Sequence, residues 1–279
     1  LVTRTHVWRL SDLHHVFTFE WGDWVEDEPN LTWSAAFSKD GAWLAAGSLY
    51  DEDWEDWDWE LAGDFQLVRV GSWERVVYQR DRSAIAQLAF LPDGRHLIVG
   101  KDDSGGWIEG SHTDGSLHLW QLPGPVELVS RQGGKPLFTL SSTSRYLFAA
   151  LHGSRGGYDP PHYNETNTLL LWRVHRGQVL QAHEYREGLT TEVGHAWALA
   201  MSPDERLIAF ARYRVVVVAR NPLFTPYGDV NTDGCVDERD LLAVLSAFGT
   251  TEVAPDVDGD GQVDDADLLI VLFNFGTGC

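Results

Sequence analysis

Phe37-Ser-Lys-Asp40-Gly41-Ala-Trp-Leu44-Ala-Ala-Gly47 and Phe90-Leu-Pro92-Asp93-Gly94-Arg-His-Leu97-Ile-Val-Gly100 decide how the larger part of this chain is read. Each joins two apolar runs through an Asp-Gly turn and ends in glycine, which is the pattern of a strand, a tight hairpin and a second strand. Weaker echoes are Leu140-Ser-Ser-Thr-Ser144-Arg-Tyr-Leu147-Phe-Ala-Ala150 and Met201-Ser-Pro203-Asp204-Glu205-Arg-Leu-Ile208. A third strand is predicted after each pair, over 65–70, 116–121, 168–173 and 214–219; a fourth follows most of them, over 75–79, 126–130 and 178–183. Four short strands recurring about every 50 to 60 residues predict a mainly β chain built of propeller blades, with a stacked β-sandwich as the plainer alternative.

The repeats resemble those of WD40-type propellers over roughly residues 5–220. Leu119-Trp120 and Leu171-Trp172 stand where that family often ends its third strand in Trp-Asp, while the family's Gly-His pair is absent. The chain opens on a third-strand-like segment, His6-Val7-Trp8, and a fourth-strand-like segment, Val16–Phe19. In WD40-type closure the segment 15–20 would complete the last blade, giving four blades with residues 1–10 left over. A truncated propeller of six to eight blades accommodates the leftover strand better. The expectation is therefore a propeller domain over 1–220 with four or more blades, followed by a linker at 221–227.

Residues 228–279 form a different kind of sequence. Asp229-Val-Asn231-Thr-Asp233-Gly234-Cys235-Val-Asp237-Glu-Arg-Asp240 recurs 27 positions later as Asp256-Val-Asp258-Gly-Asp260-Gly261-Gln262-Val-Asp264-Asp-Ala-Asp267. Oxygen-bearing side chains fall at loop positions 1, 3, 5, 9 and 12, glycine sits at position 6, and position 7 (Cys235, Gln262) would offer its backbone carbonyl. A hard cation such as calcium takes six to eight oxygens from a flexible ring of this EF-hand kind. Leu241, Leu242, Leu245 and Phe248 follow the first loop, and Leu268, Leu269, Leu272 and Phe275 the second. Their spacing predicts one apolar face on a helix after each loop, stopped by Gly249 and Gly276.

A pair of loop–helix hands without entering helices, with Asp in place of Glu at position 12, resembles the type I dockerin module. The resemblance implies two calcium ions and a cohesin-like or other surface protein as partner. It places partner recognition at loop positions 10 and 11, here Glu238 and Arg239, then Asp265 and Ala266, in place of the Ser/Thr pairs of cellulosomal dockerins. Terminal segments of such a module pack near each other, which would bring Cys235 and Cys279, the chain's two cysteines, within reach of a disulfide; two free thiols are the alternative. A disulfide would suit an extracellular or cell-surface location, and the resemblance suggests a bacterial source. No signal peptide is present in the sequence, which opens on Leu1 in mid-pattern, so an upstream part is expected.

The tail carries 12 acidic residues and one basic, a net charge of −11 out of −21 for the chain, and the remainder is acidic too. Nucleic acid is thereby excluded as a partner, since phosphate binding needs a basic surface. No apolar run is long enough to span a membrane.

Insertions at 48–64, 101–115 and 152–167 all fall between second and third strands, which places them at one end of a propeller. Trp54, Trp57 and Trp59 alternate there with acids, and Trp107, His112, Tyr158 and His162 lie in the other two insertions. Rings beside carboxylates suit a carbohydrate or a protein ligand; the plainer reading tucks the rings against the blades. No nucleophile elbow, zinc-binding histidine pair or phosphate-binding glycine loop is present. The expectation is a secreted or surface, non-catalytic binding protein attached through its tail. A subunit of a polysaccharide-degrading system, and a tail that is only a calcium-stabilised cap, are the alternatives.

Overall fold

The computed structural model describes residues 2–3, 6–21, 31–51, 61–81, 83–102, 115–132, 135–153, 166–186, 196–212 and 215–279. Strands β1 (Val2–Thr3), β2 (His6–Arg9) and β3 (His14–Thr18) form the first sheet. β4 (Leu31–Phe37), β5 (Trp43–Asp51), β6 (Leu61–Arg69) and β7 (Glu74–Asp81) form the second. The third holds β8 (Ala84–Phe90), β9 (His96–Asp102), β10 (Ser116–Gln121) and β11 (Val126–Gln132). The fourth holds β12 (Lys135–Leu140), β13 (Tyr146–Gly153), β14 (Thr166–His175) and β15 (Gln178–Arg186). β16 (Ala196–Met201), β17 (Leu207–Arg212) and β18 (Val215–Arg220) make the fifth, and the helices α1 (Glu238–Ser246) and α2 (Asp265–Phe273) follow. Every sheet is an antiparallel meander in chain order, and the inner strands β4, β8, β12 and β16 neighbour one another in sequence: these are propeller blades.

The second strand of each blade explains the stacking. Successive side chains on a strand point to opposite faces, so a strand apolar at every position is buried on both. Leu44 and Ala46 pack against Val7 and Phe19 of the preceding sheet, while Ala45 between them joins Ile85, Phe90 and Leu97 of the next. Ile98 likewise faces Leu147 and Ala149, and Phe148 faces Ile208 and Phe210. Each core belongs to two blades at once. The glycines that close the two leading motifs serve the same stacking. A Cβ on Gly47 would lie 2.3 Å from Ile85, and one on Gly100 would lie 2.9 Å from Pro136, each on the inner strand region of the next blade.

Two closures were open for the N-terminal segment. The structure pairs β3 with β2 and sets both in a separate sheet, so residues 15–20 do not complete the last blade. The pair β2–β3 also carries the one-residue register shift seen between third and fourth strands in the second, third and fourth sheets. Among the described residues β18 is the outer strand of its sheet, with Val216 and Val218 exposed.

The first hairpin of each of the second to fifth blades turns through a residue with positive φ: Gly41, Gly94, Ser144 and Glu205. Only glycine takes that conformation freely. Glu205 is held in it by its side chain, which is almost fully buried and accepts hydrogen bonds from Arg145 Nη2 at 2.5 Å and from the Thr143 hydroxyl. Arg145 in turn donates toward the carbonyls of Thr225 and Pro226 and stacks over the Tyr227 ring at 4.5 Å. The Tyr146 hydroxyl donates to Leu223 O at 3.1 Å and accepts from Thr225 N at 2.9 Å. The segment expected as a linker, 221–227, is thus pinned to the fourth and fifth blades. Strand direction places it, and the tail beyond it, at the hairpin-turn end of the propeller. The last residues of β5, β9 and β13 and the first of β6, β10 and β14 are at the opposite end, and 52–60, 103–114 and 154–165 lie outside the described residues.

Breaking a buried ion pair by removing one partner strands the other charge. Glu205→Ala should lower propeller stability by about 3 kcal/mol, read as a shift of the urea midpoint by tryptophan fluorescence. Burial, and then the charge of Lys101, pull the His118 pKa below its ordinary value, with Glu127 opposing. A histidine whose folded pKa lies below its unfolded one leaves stability intact above about 6.5 and removes it as pH falls below that. His118→Gln should therefore lose less stability than the parent between pH 7.5 and 5.5, compared through urea midpoints.

Candidate metal centre

The two loops fold alike because each polar side chain closes a turn of its own backbone. Asp229 Oδ2 accepts from Gly234 N at 3.0 Å and Asp256 Oδ2 from Gly261 N at 2.9 Å, drawing the chain around position 1. Asn231 Oδ1 accepts from Asp233 N and Asp233 Oδ1 from Cys235 N; Asp258 and Asp260 do the same for Asp260 N and Gln262 N. Gly234 and Gly261 take φ of 94° and 106°, which a side chain would oppose.

Positions 9 and 12 have a second task. Asp237 and Asp264 are the N-caps of α1 and α2, accepting from Arg239 N and Ala266 N. Asp240 and Asp267 sit three residues into those helices and return the bond to the cap backbone, completing two capping boxes. Both are fully buried, and their other oxygen accepts from the backbone just after position 1: Val230 N for Asp240 and Val257 N for Asp267. The carboxylate of position 12 is thereby held against the backbone that follows position 1.

The hands are tied crosswise. Val236 of the first loop bonds to Gly276 N and Thr277 O beyond α2, and Val263 of the second to Gly249 N and Thr250 O beyond α1. Val236, Val263, Val244, Ala247 and Val271 form the core of the tail. A disulfide joins Cys235 to Cys279 alongside the first of these ties. The helix faces divide differently from the single apolar stripe expected. Leu241 and Leu268 pack against the core, but Leu242, Leu245 and Phe248 and Leu269, Leu272 and Phe275 are exposed. Two nine-residue helices have room to bury only the side facing each other, and valine and alanine fill it.

The donor set suits a divalent cation. Asp256, Asp258 and Asp260 each place a carboxylate oxygen within 4.8 Å of the others, the spread of oxygens around one calcium-sized ion. Burial pushes the Asp256 carboxyl up to about 6, with Asp267 and Asp260 adding and Gly261 N and Arg176 opposing. Burial raises Asp229 and Asp258 too. Desolvated carboxylates crowded in this way are relieved by a bound cation. In the first hand Asn231 replaces one acid at position 3, and Asp229, Asn231 and Asp233 make the same turn-closing bonds as their counterparts. Glu238, Arg239, Asp265 and Ala266 lie exposed at the first turns of the two helices. Trp54, Trp57, Trp59, Trp107, His112, Tyr158 and His162 lie outside the described residues.

Sequence reasoning missed the propeller's own contribution. Arg176, in the turn between β14 and β15, places Nε 3.4 Å from Asp256 Oδ2 and donates from Nη1 to Thr251 O at 2.8 Å. His175 Nε2 lies 2.7 Å from Val253 O, and Lys39, in the β4–β5 turn, lies 3.9 Å from Asp258 Oδ2. A cavity of about 320 Å³ separates the modules beside these contacts, with Arg145 and Arg173 on the propeller side and Asp229 and Asp256 on the other. No local signal marks these residues, because their partners lie 75 residues away or more.

The family model of the Dockerin type I domain matches residues 227–272. The tail is accordingly a calcium-binding module of the dockerin type, borne by a propeller. No curated protein matches the chain in sequence. Among solved structures, Kuenenia stuttgartiensis hydrazine synthase aligns at 12% identity and a TM-score of 0.42, over 84% of this chain and 72% of that one. The β-propeller domain of Myceliophteria thermophila Cps50 (Swd1) aligns at 12% identity and 0.40, over 78% and 77%. Pyrococcus horikoshii acylaminoacyl peptidase aligns at 11% identity and 0.39, over 74% and 34%. At these scores the likenesses carry no argument about function. Among the described residues no helix is long and apolar enough to cross a membrane.

Since position 1 is the turning point of each loop, Asp229→Ala together with Asp256→Ala should abolish any gain in helical circular dichroism on adding calcium. A gain equal to the parent's would count against these loops as the ion sites.

Proposed function

We propose that this chain is a secreted or surface-attached, non-catalytic binding protein whose tail, loaded with two calcium ions, attaches it to a cohesin-type partner. Asp229, Asn231, Asp233, Asp237 and Asp240 with the Cys235 carbonyl hold one ion. Asp256, Asp258, Asp260, Asp264 and Asp267 with the Gln262 carbonyl hold the other. The observation that carries the reading is the outer surface of the tail. Leu242 at 62% exposure and Phe273 at 83%, with Leu245, Leu269 and Leu272, leave apolar surface on both helices, beside the exposed residues of loop positions 10 and 11. Apolar surface concentrated on one small module marks a protein interface. The propeller touches this module through the second loop and the preceding segment instead, so a partner on the helices and a ligand at the far end of the propeller do not compete.

The pinned segment 221–227 and the bonds to Thr251 and Val253 favour one second reading, in which the tail is a calcium-stabilised cap on the propeller. Full-length protein immobilised and challenged with a panel of type I cohesins and with secreted proteins, in calcium and in chelator, separates the two. Capture that requires calcium and is lost in Leu242→Asp with Leu269→Asp establishes attachment. Absence of capture, with thermal stability still dependent on calcium, leaves the cap.

A further inference from the structure

The two hands are near copies in sequence apart from Asn231 against Asp258, yet among the described residues only the second takes ion pairs from the propeller, while Asp229 faces Arg145 and Arg173 across the cavity. Asp256 is fully buried against Arg176, whose guanidinium is anchored by Thr251 O, and Asp258 faces Lys39 from a turn two blades away. In the first hand the corresponding ion-pair contact comes from inside the tail, Arg239 Nη1 to Asp233 Oδ2 at 3.5 Å, and that arginine is largely exposed. Two cationic side chains are thus aimed from the propeller at carboxylates of positions 1 and 3 of one loop.

We propose that Arg176 and Lys39 lower the calcium affinity of the second hand, offsetting the fifth carboxylate that Asp258 gives it where the first hand has Asn231. The proposal rests on the reading of both loops as calcium sites. A fixed positive charge within a few ångströms of a carboxylate both neutralises it and repels an entering dication. Arg176 does so most, because it is mostly shielded from solvent and its carboxylate is buried. Lys39 is 63% exposed, so water and salt screen it. By reciprocity, calcium in the second hand weakens the hold of Arg176 on Asp256 and so the grip of the propeller on its tail. The first hand, which has Arg173 only across the cavity and no ion pair from Arg176 or Lys39, does not share this penalty.

Calorimetric titration of the full chain with calcium tests this, with Asp229→Ala and Asp256→Ala assigning the two binding steps. Arg176→Gln should tighten the step lost in Asp256→Ala about tenfold and leave the step lost in Asp229→Ala unchanged. Lys39→Gln should tighten that same step about twofold, an effect lost at high salt. Arg176→Lys, which keeps the charge, should titrate like the parent. Unchanged or weaker binding in Arg176→Gln overturns the proposal, as does Arg176→Lys behaving like Arg176→Gln, which would trace the effect to the Thr251 bond. A parent that binds no calcium removes the reading of the tail along with it; two ions bound equally in parent and Arg176→Gln remove this proposal alone.

Discussion

The middle strand of each blade, apolar on both faces, is the constraint on which the rest is built. A strand such as Leu44-Ala45-Ala46 cannot stand at the surface of a sandwich with one wet face; it must have a sheet on either side. Each blade therefore needs its neighbours, and the cores form between sheets rather than within them. The glycines at 47 and 100 let the next inner strand come close enough for this, and the polar hairpin turns gather at one end.

That end is where the tail lands, and a second physical problem is met there. The tail concentrates carboxylates in a small volume and buries several of them. Backbone N–H groups answer part of the cost, through turns and capping boxes that make the same aspartates loop-formers, helix caps and oxygen donors. Propeller cations answer another part at the second loop. The buried Arg145–Glu205 pair and the stacked Tyr227 fix where the tail begins, and so which loop faces Arg176. The two hands differ by one ligand, Asn231 against Asp258, and placement adds a second difference.

Much of this was legible in the chain. Asp-Gly turns between apolar runs located the hairpins, and the predicted third and fourth strands overlap those found. The loop spacing located the donor oxygens. Other features escaped. The apolar stripe of each tail helix was read as one face, although only Leu241 and Leu268 of it turn inward; periodicity reports apolar character and not which side a neighbour covers. The N-terminal strands could have closed the last blade by pattern alone, since β3 carries the marks of a fourth strand wherever it pairs.

The sequence by itself determined the elements whose causes are local: turns, alternation, loop ligands, caps and the repeat that makes them blades and hands. The tertiary structure decided which strand pairs with β3, which helix faces stay dry and which calcium loop meets a guanidinium. Those outcomes depend on groups brought together across the fold, as Arg176 and Asp256 are. Neither residue carries a mark of the other in its own neighbourhood, because the Coulomb and desolvation energies that join them exist only once the chain has placed them side by side.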